Sequence, residues 1–295
     1  MFTPSLMPRS DRRPMLRFDH VTIFLISILA AALYSVASAR LYVALGQRLP
    51  RDTDVGRQPV AGRAVTLGLA TVAALLHLGL GWDQTGWPDA LRLPFFTALS
   101  VTGLGIVVLQ LLICLRQPAD YLGLAVYPLA AVALMASQAS NEAGAAIQGR
   151  AIQIHVVLSV LAYAVLALTA AQAVLVAVQR HFLTHRRPGG FLRALPPLQT
   201  TETLLFALLS AGLALLTLSL ASGFFYLDDM FAQSLVHKTV LSCLAWAIFA
   251  VLLFGRWRFG WRGRRSVHWT LGGFALLLAA YFGSKLVLEL VLPVA

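Results

Sequence analysis

Charge is what this chain has least of. Asp, Glu, Lys and Arg together make up 12% of its 295 residues, against roughly 25% in soluble globular domains. Hydrophobic residues reach 59%, and the mean hydropathy is +0.77. Too few charges remain to clothe a water-facing surface, so a soluble fold is excluded and a polytopic membrane protein is implied. Cysteine is scarce as well. Cys114 and Cys243 stand in separate apolar runs without a CxxC, which excludes a disulfide scaffold, a thioredoxin-like centre and a four-thiolate zinc site. There is no P-loop, no GxGxxG after a strand and no HExxH, so nucleotide-driven pumping and zincin chemistry lack their residues. The 22 glycines and 13 prolines are scattered, with no collagen-like or low-complexity period.

What the chain does have is a succession of apolar runs, each near the roughly 20 residues needed to cross a bilayer. They fall at 20–45, 63–82, 94–116, 121–139, 152–180, 203–225, 237–257 and 267–292. The fold class they predict is all-α, a polytopic transmembrane helical bundle of about eight spans. Pro128 interrupts the fourth run. No stretch alternates with a period of two, which argues against a β-barrel. The first run lacks a small-residue cleavage site and continues through Tyr34, Ser35 and Arg40, so it reads as a helix and not as a removed signal peptide. The domain expectation is a single transmembrane domain over 20–295 after a basic leader over 1–19. That leader is mostly untranslated if synthesis begins at Met15.

The net charge of +11 rests on 21 arginines placed mostly between the apolar runs. That placement fits loops facing anionic lipid and gives no reason to invoke nucleic acid. Basic residues crowd the connections after the first, third, fifth and seventh runs: Arg48, Arg51, Arg57 and Arg63; Arg116; Arg180, Arg186, Arg187 and Arg193; Arg256, Arg258, Arg262, Arg264 and Arg265. The intervening connections hold Arg92, Arg150 and Lys238 beside Asp83, Asp89, Glu142, Asp228 and Asp229. The odd-numbered connections are therefore expected in the cytoplasm and both termini outside. Arg9, Arg12, Arg13 and Arg17 of the leader pull the other way, and the majority of loops is followed.

Seven histidines remain to be placed. His181, His185 and His268 fall on the basic side, where a solvated or headgroup-facing role suffices, and His20 adjoins the leader. His77, His155 and His237 sit on three different runs, each near its outer end. An ionisable group inside an apolar span is costly and faces a cavity or a partner. Neutral imidazole is a metal ligand, and a pair can hold haem iron axially. Three imidazoles at matched depth thus form one candidate site, with packing through local hydrogen bonds as the competing account. His155, Ser159 and Tyr163 are four residues apart and share a helix face, so Ser159 could orient the imidazole and Tyr163 line a polar track inward. Lys238, beside His237, suits a propionate or phosphate, or else Asp228 or Asp229. The aromatics of Gly223-Phe224-Phe225-Tyr226 suit either the face of a flat macrocycle or an interfacial belt, and Trp82 and Trp87 fit the belt.

From about residue 150 onward the chain resembles the cytochrome c assembly family of haem-handling membrane proteins, the CcsA and CcmC group, and within it the HemX-like and YpjD-like inner-membrane branch. The resemblance is carried by Ile154-His155-Val156-Val157-Leu158-Ser159-Val160-Leu161-Ala162-Tyr163, by Val236-His237-Lys238-Thr239-Val240-Leu241-Ser242 with Trp246, by Gly260-Trp261-Arg262-Gly263-Arg264-Arg265, and by Ala280-Tyr281-Phe282-Gly283-Ser284. It implies a bacterial inner-membrane protein whose outward histidines hold haem, with His155 and His237 as the axial pair and His77 as a third candidate. It also implies other cytochrome assembly proteins as partners beside haem and membrane lipid. The tryptophan-rich outer motif of the haem-delivering members is missing, since no tryptophan stands in the loop before His237. No carboxylate pair or nucleophile with its base stands out, so the expected role is non-catalytic. Two other functions compete. A small-ion or metal transporter would need buried carboxylates or glycine-broken helices, and Glu289 is the only carboxylate well inside a run. A non-catalytic accessory of another membrane complex would use its histidines for packing alone.

Overall fold

In the computed structural model the described residues are 19–46, 60–86, 91–140, 144–147, 149–185, 195–226 and 236–283. Among them are eight α-helices: α1 (His20–Gly46), α2 (Val60–Thr85), α3 (Phe95–Cys114), α4 (Gly123–Ala139), α5 (Arg150–Thr184), α6 (Leu198–Tyr226), α7 (Val236–Phe259) and α8 (Arg264–Leu278). A 3-10 turn, Asp120–Leu122, leads into α4, and a π-helical turn, Ala279–Gly283, continues α8. Seven of the eight expected runs are long and apolar enough to cross a membrane. The eighth is present as α8 and its π turn, and the rest of that run, like the leader up to residue 18, lies outside the described residues. The chain is a multi-pass helical membrane bundle.

The helices pack as two halves. In the first, α1 lies against α2 and α4, and α3 against α4 and α2; in the second, α5 lies against α6 and α8, and α7 against α8 and α6. Contact between α3 and α5 joins the halves. Tyr34, Leu41, Val107, Tyr127 and Leu168 fill the first core, and Leu166, Leu209, Phe249, Leu252 and Leu277 the second. Lipid tails are as apolar as these side chains, so hydrophobicity alone does not hold spans together; close backbone approach and buried hydrogen bonds do. At Gly212 the α5–α6 approach leaves no room for a side chain, since a Cβ there would lie 2.6 Å from Leu166.

Pro128 does not break the fourth span. It sits inside α4, where it removes the N–H that the carbonyl of Leu124 would accept. Ser38 of α1 supplies the replacement, donating its hydroxyl to Leu124 O at 3.2 Å. A neighbouring hydroxyl repairs the helix, as apolar surroundings require. On the side where α2 ends and α3 begins, a minimal antiparallel ladder forms between β1 (Leu91–Arg92) and β2 (Ala146–Ile147). It ties the α2–α3 connection to the approach into α5. Gln153 then donates to the carbonyl of Ile147 at 3.2 Å, which fixes the first turn of α5 against that ladder.

Candidate functional site

His155 is the sixth position of wholly helical α5 after its glycine cap. Its Nδ1 lies 3.0 Å from the carbonyl oxygen of Ser219 and 3.0 Å from Oγ of Ser222, both on α6. A carbonyl oxygen can only accept, so Nδ1 carries the hydrogen and donates. In the neutral ring the lone pair is then on Nε2, which has no hydrogen-bond partner among the described residues. The surrounding hydroxyls are consistent with that assignment. Ser222 donates to Ser219 O at 2.8 Å, leaving its own lone pairs toward the imidazole. Ser159 donates to the backbone carbonyl of His155 at 2.8 Å and bonds Ser219 Oγ at 2.7 Å. Ser159 therefore reaches the ring only indirectly, by bracing α5 against Ser219. The direct partners, Ser219 and Ser222, were missed by sequence reasoning; their three-residue spacing on α6 is the signal that could have pointed to them.

An Nδ1–H held by a carbonyl fixes the orientation and tautomer of a histidine whose Nε2 binds metal, and it raises the basicity of that nitrogen. The donor set at His155 thus fits a haem-iron ligand. Tyr163, two turns further along α5, is buried and donates to the carbonyl of Leu277 at 2.8 Å, with the Tyr281 ring 5.6 Å from its own. Its hydroxyl is spent where α8 gives way to the π turn, so it binds α5 to α8 at the base of the site.

His237 stands in the first turn of α7, but its side chain lies outside the described residues, as do Asp228 and Asp229. Lys238 follows it, half-buried. Topology brings this turn to the same membrane face as His155, because α5 begins, α6 ends and α7 begins there. Trp246 fixes the α6–α7 spacing below, donating its indole N–H to Thr217 Oγ1 at 2.8 Å.

His77 is placed differently. It is 1% exposed in the first half of the bundle, with Nε2 2.8 Å from Ser100 Oγ and Nδ1 3.5 Å from the Tyr34 hydroxyl. Among the described residues none of its hydrogen bonds is with α5, α6 or α7. It heads a buried polar series: Tyr34 stacks on Tyr127, Tyr127 donates to Gln110 at 3.0 Å, and Gln110 donates to Cys114 Sγ at 3.0 Å. The series ends where Arg63 pairs with Asp120 at 3.0 Å and donates to the carbonyl of Cys114 at 2.6 Å. Among the described residues no three His, Cys, Asp or Glu side chains gather as a metal site. Of the remaining histidines, His181, His185 and His268 are exposed on the opposite side, and His20 is exposed at the start of α1.

Comparison with known proteins gives a consistent result. The chain is 38% identical over 138 residues to inner membrane protein YpjD of Escherichia coli strain K12, covering 47% of this chain and 52% of that one. It is 33% identical over 143 residues to an uncharacterized protein of Azospirillum brasilense, 48% and 53% of the two chains. Against protein HemX of Brevibacillus brevis it is 28% identical over 131 residues, 44% and 48%. The chain thus spans about half the length of the curated relatives it matches. The family model for cytochrome C assembly protein matches residues 66–292, from within α2 almost to the end of the given sequence. On that match and its seven apolar spans, the chain is a multi-pass inner-membrane protein belonging to the cytochrome c assembly protein family.

Proposed function

We propose that this protein binds haem near the outer membrane face through Nε2 of His155, with His237 as the second axial ligand. The observation that carries this reading is the pair of contacts from Nδ1 of His155 to Ser219 O and Ser222 Oγ. They hold the ring in one orientation and leave Nε2 with its lone pair toward an incoming ligand. When bound, haem offers iron positions for imidazole nitrogen and two anionic propionates. Lys238, next to His237 in the same turn, supplies a cation for a propionate. Tyr163 keeps α5 and α8 in register beneath the imidazole. In this reading the protein holds haem for cytochrome assembly and does no bond-making chemistry itself; its partners are haem and other assembly proteins of the membrane. His77, enclosed by Ser100 and Tyr34, supports the first half of the bundle and would have to give up those contacts to serve as a ligand.

The test is a visible absorption spectrum of the detergent-purified protein, compared with His155→Ala and His237→Ala. A Soret band that both substitutions weaken is the expected outcome. A protein that stays colourless after haem is added back would overturn the reading. Retention of the full band in His155→Ala would remove His155 as the ligand.

A further inference from the structure

The connection between α7 and α8 is built from arginines and aromatic rings, and it contributes no acid of its own. From Asp229 to Glu289 the sequence contains no carboxylate between those two. Gly260, at φ +66°, closes α7 in the left-handed conformation, its N–H donating to Arg256 O at 3.1 Å. Gly263, at φ +67°, opens α8 with no side chain to cap it. Arg258, Arg262, Arg264 and Arg265 are exposed around this turn, and none has a hydrogen-bonding or anionic partner among the described residues. Arg63 and Arg180, by contrast, are each paired with a carboxylate, Asp120 and Glu202.

The turn is ordered by its rings. Phe259 stacks on Trp261 at 6.4 Å, and Trp261 meets Trp269 at 5.7 Å. Arg258 lies over Phe259 at 5.6 Å and Arg265 over Trp261 at 5.7 Å. A ring face attracts a guanidinium and fixes its plane while leaving its in-plane N–H groups available. Two further donors in the same segment are buried and unpartnered: Nη1 of Arg256, whose guanidinium sits over Phe206 at 4.6 Å, and Oγ of Ser266, in the first turn of α8. Buried donors without acceptors point to a missing acceptor. The first-turn amides of α8 add positive potential at the same place. Beside these donors, Phe254, Trp257 and Phe259 face outward, Trp257 82% exposed. They lie at the end of a helix long and apolar enough to cross a membrane.

We propose that the α7–α8 turn is a binding site for an acidic phospholipid of the cytoplasmic leaflet. Its phosphate is held by Arg258, Arg262, Arg264 and Arg265, and its acyl chains lie along Phe254 and Trp257. The charge selects an anionic headgroup and the flanking rings select a lipid over a free anion. The site is at the opposite membrane face from His155 and stands whether or not haem binds there.

Three of the chain's six tryptophans, Trp257, Trp261 and Trp269, lie in this segment, so intrinsic fluorescence reports on it. The full-length protein in mixed micelles is titrated with phosphatidylglycerol or phosphatidylcholine carrying brominated, quenching acyl chains. Phosphatidylglycerol is expected to reach half-quenching at about tenfold lower mole fraction, since basic residues near the surface favour an anionic headgroup. The combined Arg258→Gln, Arg262→Gln, Arg264→Gln and Arg265→Gln variant should bring the two lipids to within about twofold of each other. Arg116→Gln, on the same side but outside the turn, should leave the preference intact. If the combined variant fails to fold, Arg264→Gln and Arg265→Gln separately should each cut the preference by about half. Equal quenching by both lipids in the unmodified protein overturns the proposal, and so does a preference that survives the arginine replacements. Abolition of the preference by millimolar inorganic phosphate would make the site one for a free anion and would overturn it as well.

Discussion

At the scale of single residues, the chemistry of His155 is decided by an atom that no side chain provides. The carbonyl of Ser219 forces the hydrogen onto Nδ1, and Ser222 adds a second acceptor. Replacing Ser222 by Ala removes one of the two and leaves the carbonyl. Haem affinity is therefore expected to fall by roughly tenfold, at the low end for groups that orient a metal ligand, as read from a haem titration followed at the Soret band. His155→Ala should cost far more. For His77 the expectation differs in kind. His77→Ala leaves a cavity and strands Ser100 and Tyr34, so the thermal midpoint should drop, at a cost of about 2–4 kcal/mol, while the His155-dependent band stays. Loss of the band with no loss of stability would make His77 a ligand. The sequence made His77, His155 and His237 look alike, as three imidazoles at similar depth. Their partners, Ser100 and Tyr34 in one case and Ser219 and Ser222 in another, come from helices remote in the chain, and no periodicity within one helix encodes them.

At the scale of elements, the fourth span carries the clearest lesson. Pro128 reads as an interruption because proline removes a helix hydrogen bond, yet α4 runs through it. Ser38 reaches across from α1 to the carbonyl that Pro128 leaves open. Ser38→Ala should destabilise the protein by about 1–3 kcal/mol, the cost of an unsatisfied buried carbonyl. In a Pro128→Ala background, where the residue at 128 again donates to Leu124, the same change should cost markedly less. Thermal unfolding of the four proteins in one detergent measures the difference, and equal costs in both backgrounds would show that Ser38 does not serve the proline. The α7–α8 turn offers a second test. Gly263 has a positive φ and lies against the guanidinium of Arg180. Gly263→Val is expected to lower the thermal midpoint, since a β-branched residue is strained there and displaces Arg180 from Glu202.

At the scale of the whole molecule, the positive-inside rule predicts that the arginine-rich connections face the cytoplasm. Fusion of a cytoplasm-dependent fluorescent protein after Arg187 should glow, while alkaline phosphatase fused after Asp229 should be active; the reverse pattern would invert the bundle and put His155 on the inner face. The number and approximate limits of the spans were determined by the sequence alone, because a bilayer demands about 20 apolar residues per crossing whatever the helices later touch. The fold class was legible for the same reason, being a property of local composition. The resemblance beyond residue 150 likewise rested on contiguous motifs, and the family match over 66–292 agrees with it. Tertiary structure decided which imidazole is enclosed and which presents Nε2, how Pro128 is accommodated, and which arginines keep their charge unpaired. Each of these depends on what a second helix brings to within about 3 Å, the reach of a hydrogen bond. Helix–helix register is set by packing among side chains far apart in the chain, so that information exists only once the bundle has formed.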